Sequence, residues 1–139
     1  MKHLTFVAII LAVILTPSVA EVATYKIEEP TYIDLGEYIV TAYCPCEKCC
    51  GKWAKNRPNG IVYGAYGIEL VEGVSVAAPF PVGTVLVIEG REYIVHDKTA
   101  EWIVRRYNGQ IIDIYFGSHQ KALEFGKKAL EVRMQNEKN

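Results

Sequence analysis

From Tyr38 onward, the chain consists of short apolar, β-branched and aromatic runs separated by turn residues. Runs of this kind are typical of strands. The last run alternates at Leu130, Val132 and Met134, which is the period of a strand with one buried face. Gly90-Arg91 lies between two runs and indicates a hairpin. We predict six or seven strands, within residues 38–43, 61–63, 74–78, 84–88, 93–96, 111–116 and 129–134.

One segment has helical rather than strand character. Ser118 can cap a helix over residues 119–125, and Gly126 can end it. The segment 21–37 has no sustained period and is interpreted as a lead-in, with one strand within it as the alternative. Many short strands and one helix within about 100 residues predict a mainly β fold, a small barrel or sandwich. The domain covers residues 38–134, followed by a short tail over 135–139.

The first twenty residues have the pattern of a leader. A short positive start precedes an apolar run of 12 residues, Leu4 to Leu15, and small residues end the segment at Ala20. This is the anatomy of a secretory signal peptide cleaved after Ala20. The alternative is an uncleaved anchor, but the run is shorter than the roughly 20 residues that span a bilayer. We therefore expect a secreted protein without stable membrane insertion, located in the periplasm or at the cell surface.

Composition narrows the class of protein further. The 139 residues are 50% hydrophobic and 22% charged, which excludes a mainly disordered chain. The formal net charge of -1 gives no basic surface of the kind that binds nucleic acid. We expect a monomer with no nucleic-acid partner, and nothing in the chain requires a cofactor.

Four cysteines lie within seven residues, at Cys44, Cys46, Cys49 and Cys50. In an oxidising compartment an even number favours disulfides. We prefer Cys46–Cys49 nested inside Cys44–Cys50, because a bond between the neighbours Cys49 and Cys50 would be strained. The alternatives are a zinc site and a free redox pair. Four thiolates this close together would crowd a tetrahedral ion, so the sequence favours disulfides and no metal.

The chain has only three aspartates. Asp34 is in the lead-in and is interpreted as a solvated residue, whereas Asp97 ends a predicted strand. Asp113 lies within an apolar and aromatic run. Its carboxyl group either points outward from the strand or lies in a partly desolvated cleft, where its pKa would rise as a general acid requires.

Other side chains could take part in chemistry or binding. His96 and His119 are candidates for a base or a ligand, although a lone histidine is more often structural. Aromatic residues on loops could stack on sugar rings, or could simply pack. The candidates of this kind are Tyr43, Trp53, Tyr63 and Tyr66.

Taken together, several motifs resemble a known family. They are Thr41-Ala42-Tyr43 with the cysteine loop and Gly51, Asn59-Gly60, Val76-Ala77-Ala78-Pro79, Val82-Gly83-Thr84, Val95-His96-Asp97, Ile112 to His119, and Ala122 to Gly126. Their order and spacing resemble the three-aspartate (3D) domain of bacterial cell-wall proteins. That domain is related to the catalytic barrel of membrane-bound lytic transglycosylase A. The resemblance covers residues 38–134.

The resemblance implies a six-stranded double-psi β-barrel that cleaves the glycan strands of peptidoglycan without water. By matched position, Asp113 is the acid and base, and Asp97 is its neighbour in the groove. Tyr43, Trp53 and Tyr66 would contact the glycan. Two departures stand out: Ala78 replaces the family's first aspartate, and the glycines that usually follow the second are missing after Asp97. A non-catalytic cell-wall or carbohydrate-binding module and a hydrolase that uses water are the alternatives.

Overall fold

Six strands form the body of the protein in the computed structural model, which describes residues 29–55 and 57–136. The strands close into a barrel in the order β1-β5-β2-β4-β3-β6. The predicted mainly β, six-stranded barrel is therefore confirmed. The strands are β1 (Tyr32–Tyr43), β2 (Ser75–Ala77), β3 (Val85–Ile88), β4 (Arg91–Asp97), β5 (Ile111–Tyr115) and β6 (Lys128–Gln135).

Two of the strand pairs are parallel, β1 with β5 and β2 with β4, and the others are antiparallel. β3 and β4 form the predicted hairpin, with Ile88 in register with Arg91. The turn residues Glu89 and Gly90 have φ values of 50° and 74°. Positive φ at both positions is the geometry of a type I′ turn, whose twist matches that of paired strands.

The interior is filled by aliphatic side chains that all six strands contribute. These residues follow the two-residue period of each strand, so their neighbours in sequence lie on the outer face of the barrel. On β5, Ile112 and Ile114 belong to the core, and Asp113 therefore points away from it. The core residues include Val40, Val76, Leu86, Ile88, Val95, Ile112, Ile114 and Val132.

The predicted helix is present over His119–Phe125 and is named α3. The Ser118 hydroxyl accepts a hydrogen bond from the backbone N–H of Lys121 at 3.2 Å, and Gly126 ends the helix at φ 70°. The structure adds two helices that the sequence did not predict, α1 (Glu47–Cys50) and α2 (Glu101–Arg106). Each is too short to show a clear helical period.

Two strand predictions differ from the structure. β1 begins at Tyr32, six residues before the predicted start. A register shift between Asp34 and Gly36 interrupts its alternation, and this shift concealed the strand within the predicted lead-in. Residues 61–63 form only an isolated bridge, between Tyr63 and Glu69.

The predicted leader, residues 1–20, lies outside the described residues, as does the end of the predicted C-terminal tail. Among the residues that are described, no helix has the length and apolar character needed to cross a membrane.

Candidate functional site: two aspartates on the barrel wall

Four residues form a row across adjacent strands. Thr41 on β1 is in register with Asp113 on β5, which is in register with Ala77 on β2. Ala77 is also in register with Asp97 at the end of β4. Two strand spacings therefore separate the aspartate backbones, roughly 9 to 10 Å. The small side chain of Ala77 lies between the two carboxylates.

A β-bulge brings Asp97 into this row. Val76 pairs with Val95, but the next residue, Ala77, pairs with Asp97, so His96 is an additional residue in β4. In a regular strand, Asp97 would share the core face with Val95 because strand side chains alternate. The bulge re-aims the Asp97 side chain to the face that carries Asp113.

Asp113 is partly desolvated although it points away from the core. Burial raises its pKa from 3.8 to about 6, and the nearby negative charge of Asp97 adds to this effect. The Thr41 hydroxyl donates a hydrogen bond to Oδ1 of Asp113. Among the described residues Oδ2 has no hydrogen-bond partner, so this oxygen is available to carry a proton. The side chain faces away from the core but is only partly exposed, so the alternative of an exposed outer face does not apply and the partly desolvated one does.

Asp97 is held by three donors. Its Oδ1 accepts hydrogen bonds from the backbone N–H groups of Ala65 at 2.7 Å and Lys98 at 2.8 Å. Its Oδ2 accepts a hydrogen bond from the Tyr43 hydroxyl at 2.8 Å. Both oxygens thus have the acceptor role of an ionised carboxylate, and the side chain is fixed in orientation.

Gly64 lets the preceding loop approach Asp97 closely. A Cβ atom at this position would lie 2.6 Å from the backbone oxygen of His96 and 3.0 Å from Cβ of Asp97. Both distances are too short, and the nearest atom belongs to the backbone. Only glycine can occupy this position while Ala65 donates to Asp97. Sequence reasoning did not identify Gly64, Ala65 or the role of Thr41, because these contacts join segments that are distant along the chain.

The three predicted sugar-binding aromatics occupy different places. Tyr43 is largely enclosed, its ring packs edge-on against Tyr115 with centroids 5.6 Å apart, and its hydroxyl contacts Asp97. Burial and the charge of Asp97 raise the pKa of Tyr43, which keeps its hydroxyl protonated as a donor. Trp53 is 72% exposed, on the 3-10 segment Gly51–Lys55 that follows the cysteine loop.

Tyr66 lines an open groove of about 370 Å³. Ala78, which replaces the family's first aspartate, also lines this groove, together with Lys98 and Thr99 that directly follow Asp97. Neither Asp97 nor Asp113 is part of its lining. The groove adjoins the aspartate row only through Ala78, which follows Ala77, and through Lys98, which follows Asp97.

The remaining candidate residues are His96, Asp34, Tyr63 and His119. His96 Nδ1 lies 2.9 Å from the hydroxyl of the buried Ser75, which also accepts a hydrogen bond from the N–H of Val71. Asp34 is exposed, as expected, and accepts a hydrogen bond from the N–H of Gly36. Tyr63 is exposed beside the isolated bridge. His119 lies instead among the cysteines.

The predicted disulfides are not formed. All four thiols are free, and the sulphur atoms of Cys44 and Cys46 are 3.1 Å apart, far longer than a disulfide bond of about 2.05 Å. Cys50, the predicted partner of Cys44, instead directs its thiol to the backbone oxygen of Cys44 at 3.1 Å. The short helix α1, which the sequence did not predict, contains both Cys49 and Cys50.

Comparison with known proteins identifies no relative. No protein-family model matches the chain, and no curated protein is significantly similar to it. A carboxyl group with a pKa near 6 can exchange a proton near neutral pH, and a neighbouring carboxylate that is held in place can sustain that pKa.

Proposed function

We propose that this protein is an exported lytic transglycosylase that cleaves the glycan strands of peptidoglycan, with Asp113 as the single acid and base. The observation that carries the proposal is the raised pKa of Asp113, about 6, in a carboxyl group that keeps one oxygen free beside the fixed carboxylate of Asp97. The resemblance of residues 38–134 to the three-aspartate domain supplies the substrate class.

The reaction needs one proton carrier. Protonated Asp113 donates its proton to the glycosidic oxygen, and the bond between that oxygen and the anomeric carbon breaks. The Asp113 carboxylate then accepts the proton of the 6-hydroxyl of the same sugar as its oxygen bonds to the anomeric carbon. A 1,6-anhydro ring closes, the proton returns to Asp113, and no water is consumed.

The surroundings of Asp97 favour this mechanism over hydrolysis by two carboxylates. Glycosidases that use water need a second carboxylate to attack the sugar or to activate water. Both oxygens of Asp97 already accept hydrogen bonds from the protein, from Ala65, Lys98 and Tyr43. Asp97 is therefore suited to orient substrate and to keep Asp113 protonated, rather than to react itself.

A non-catalytic glycan-binding module is the second candidate. The open groove carries Tyr66 and Phe80 but neither carboxylate, and Ala78 lies where the family has its first aspartate. An aromatic groove without a reacting group is sufficient to bind sugar rings. In this candidate, Asp113 would be dispensable for binding.

Mass spectrometry of the products separates these candidates. The purified protein is incubated with peptidoglycan, in parallel with Asp113→Asn and with Asp34→Asn, which changes an exposed aspartate. The proposal predicts anhydro-ended fragments from the wild type and Asp34→Asn, and none from Asp113→Asn. Reducing-ended fragments would indicate a hydrolase. Absence of products, with the protein sedimenting with the wall material, would indicate a binding module.

A further inference from the structure

Three thiols and one imidazole converge on one point beside the barrel. The sulphur atoms of Cys44, Cys46 and Cys49 and a ring nitrogen of His119 all lie within 4.8 Å of one another. The cysteines belong to one loop, whereas His119 lies 75 residues after Cys44, at the start of α3. The cluster therefore joins two distant parts of the chain.

The local fold brings the cysteines together. The backbone N–H groups of Cys49 and Cys50 both donate to the oxygen of Cys46, at 3.2 and 2.9 Å. This tight turn places the thiols of Cys46 and Cys49 on the same side, as in the C-x-x-C pairs of zinc sites. Cys44 directly follows β1 and is fully buried. Cys50 is turned away from the cluster, toward the oxygen of Cys44.

The distances match a tetrahedral zinc ion. With bonds of about 2.3 Å to sulphur and about 2.0 Å to nitrogen, sulphur atoms would lie about 3.8 Å apart, and each would lie about 3.5 Å from the nitrogen. Nδ1 of His119 lies 3.6, 3.5 and 3.5 Å from the sulphurs of Cys44, Cys46 and Cys49. The sulphurs of Cys44 and Cys49 are 3.6 Å apart. The Cys44–Cys46 separation, 3.1 Å, is clearly shorter than an ion would require, so these two thiols would move apart by about 0.7 Å on binding.

Hydrogen bonding does not account for this arrangement. An imidazole nitrogen has either one proton or one lone pair, so Nδ1 can form one good hydrogen bond in the ring plane. Three nearly equal distances from sulphur atoms to one nitrogen are instead those expected of ligands around a shared metal ion.

We propose that Cys44, Cys46, Cys49 and the Nδ1 atom of His119 bind a structural zinc ion. Four protein ligands complete the tetrahedron and leave no position for a substrate, which is the property of structural zinc sites. The crowding expected for four thiolates is avoided, because Cys50 is not a ligand and the fourth ligand comes from α3.

The zinc site would connect β1 and β5, the strands that carry Thr41 and Asp113. Cys44 follows the end of β1, His119 follows the end of β5, and these strands are parallel neighbours. The ion would join residues 75 positions apart, and because this site exists only in the folded chain, its binding free energy would stabilise the fold. This inference does not depend on the proposed function.

Metal analysis with matched cysteine variants tests the site. The protein is purified under reducing conditions, and its zinc is measured by elemental mass spectrometry. We expect one equivalent in the wild type and in Cys50→Ser, which changes a cysteine of the same loop outside the cluster. We expect at least a tenfold loss of zinc in Cys49→Ser and His119→Ala. Cobalt in place of zinc would give the visible bands of a tetrahedral thiolate site.

Three results would overturn the proposal. One is a wild-type protein without zinc whose thiols are still reduced. Another is a loss of two or four hydrogens from the intact mass, which would indicate disulfides. The third is an equal loss of zinc in Cys50→Ser and Cys49→Ser, which would place the metal elsewhere. Circular dichroism of each variant shows whether it has folded, so a loss of zinc by unfolding is recognised.

Discussion

Asp97 and Asp113 lie on either side of Ala77, on strands β4 and β5, each in register with that residue. A bulge at His96 places Asp97 on this face. The two carboxyl groups have opposite surroundings. Asp97 accepts three hydrogen bonds, whereas burial raises the pKa of Asp113 to about 6. A carboxyl group with a raised pKa beside a carboxylate that the protein holds in place is typical of acid and base sites.

The raised pKa of Asp113 predicts a stability that depends on pH. The unfolded chain releases this proton near pH 3.8, whereas the folded protein holds it to about pH 6. The wild type should therefore lose stability relative to Asp113→Asn as pH rises from about 4 to above 6, by up to about 3 kcal/mol. Urea unfolding at pH 4 and pH 7.5 measures the difference.

The control for this measurement is Asp34→Asn, which removes an exposed carboxylate. Its stability relative to the wild type should change little between the two pH values. If the difference in stability between Asp113→Asn and the wild type were the same at pH 4 and pH 7.5, the desolvation of Asp113 would be contradicted.

Removal of the Tyr43 hydroxyl should eliminate one of the three hydrogen bonds that fix the Asp97 side chain. Tyr43→Phe retains the ring that packs on Tyr115 but loses the hydrogen bond to Oδ2 of Asp97. A hydrogen bond to a charged group contributes about 1.5 to 3 kcal/mol, so the free energy of unfolding should fall by about this amount. Tyr38→Phe is the control, because the Tyr38 hydroxyl makes no hydrogen bond within the described residues. Equal effects of the two changes would contradict the role of Tyr43.

Gly64→Ala should displace the loop that donates to Asp97. The added Cβ would lie 2.6 Å from the oxygen of His96, and overpacking of this kind costs about 1 to 3 kcal/mol. We expect Gly64→Ala to be less stable than the wild type and to cleave peptidoglycan more slowly. Gly67→Ala, in the same loop, has open space around it but a φ of 73°. It should cost about 1 kcal/mol and leave cleavage unchanged. Cleavage at the wild-type rate in Gly64→Ala would contradict the close approach.

Zinc removal should destabilise the whole domain. Structural zinc contributes several kcal/mol to folding, so a strong chelator should lower the melting temperature by more than about 10 °C. Added zinc should restore the original value. His119→Ala should melt at the lower temperature with or without the chelator. A wild-type melting curve that the chelator does not change would argue against a bound structural ion.

The features that were predicted correctly depend on residues close together along the chain, and those that were missed depend on residues far apart. The β3–β4 hairpin and helix α3 were predicted correctly because turn and capping residues act over a few positions. The bulge at His96 and the approach of Gly64 to Asp97 depend on pairing between distant segments. Likewise, His119 could not be assigned to the cysteine cluster, because 75 residues separate it from Cys44. The spacing of the cysteines alone therefore favoured disulfides.

Asp113 holds its proton up to about pH 6 because of burial and the charge of Asp97. Carbon NMR of the side-chain carboxyl groups tests it directly, since the chain has only three aspartates. The signal that Asp113→Asn removes is assigned to Asp113 and followed from pH 3 to pH 8. We predict a midpoint of about 6 in the wild type and a lower midpoint in Asp97→Asn. A wild-type midpoint near 4, the value of an ordinary aspartate, would contradict the account.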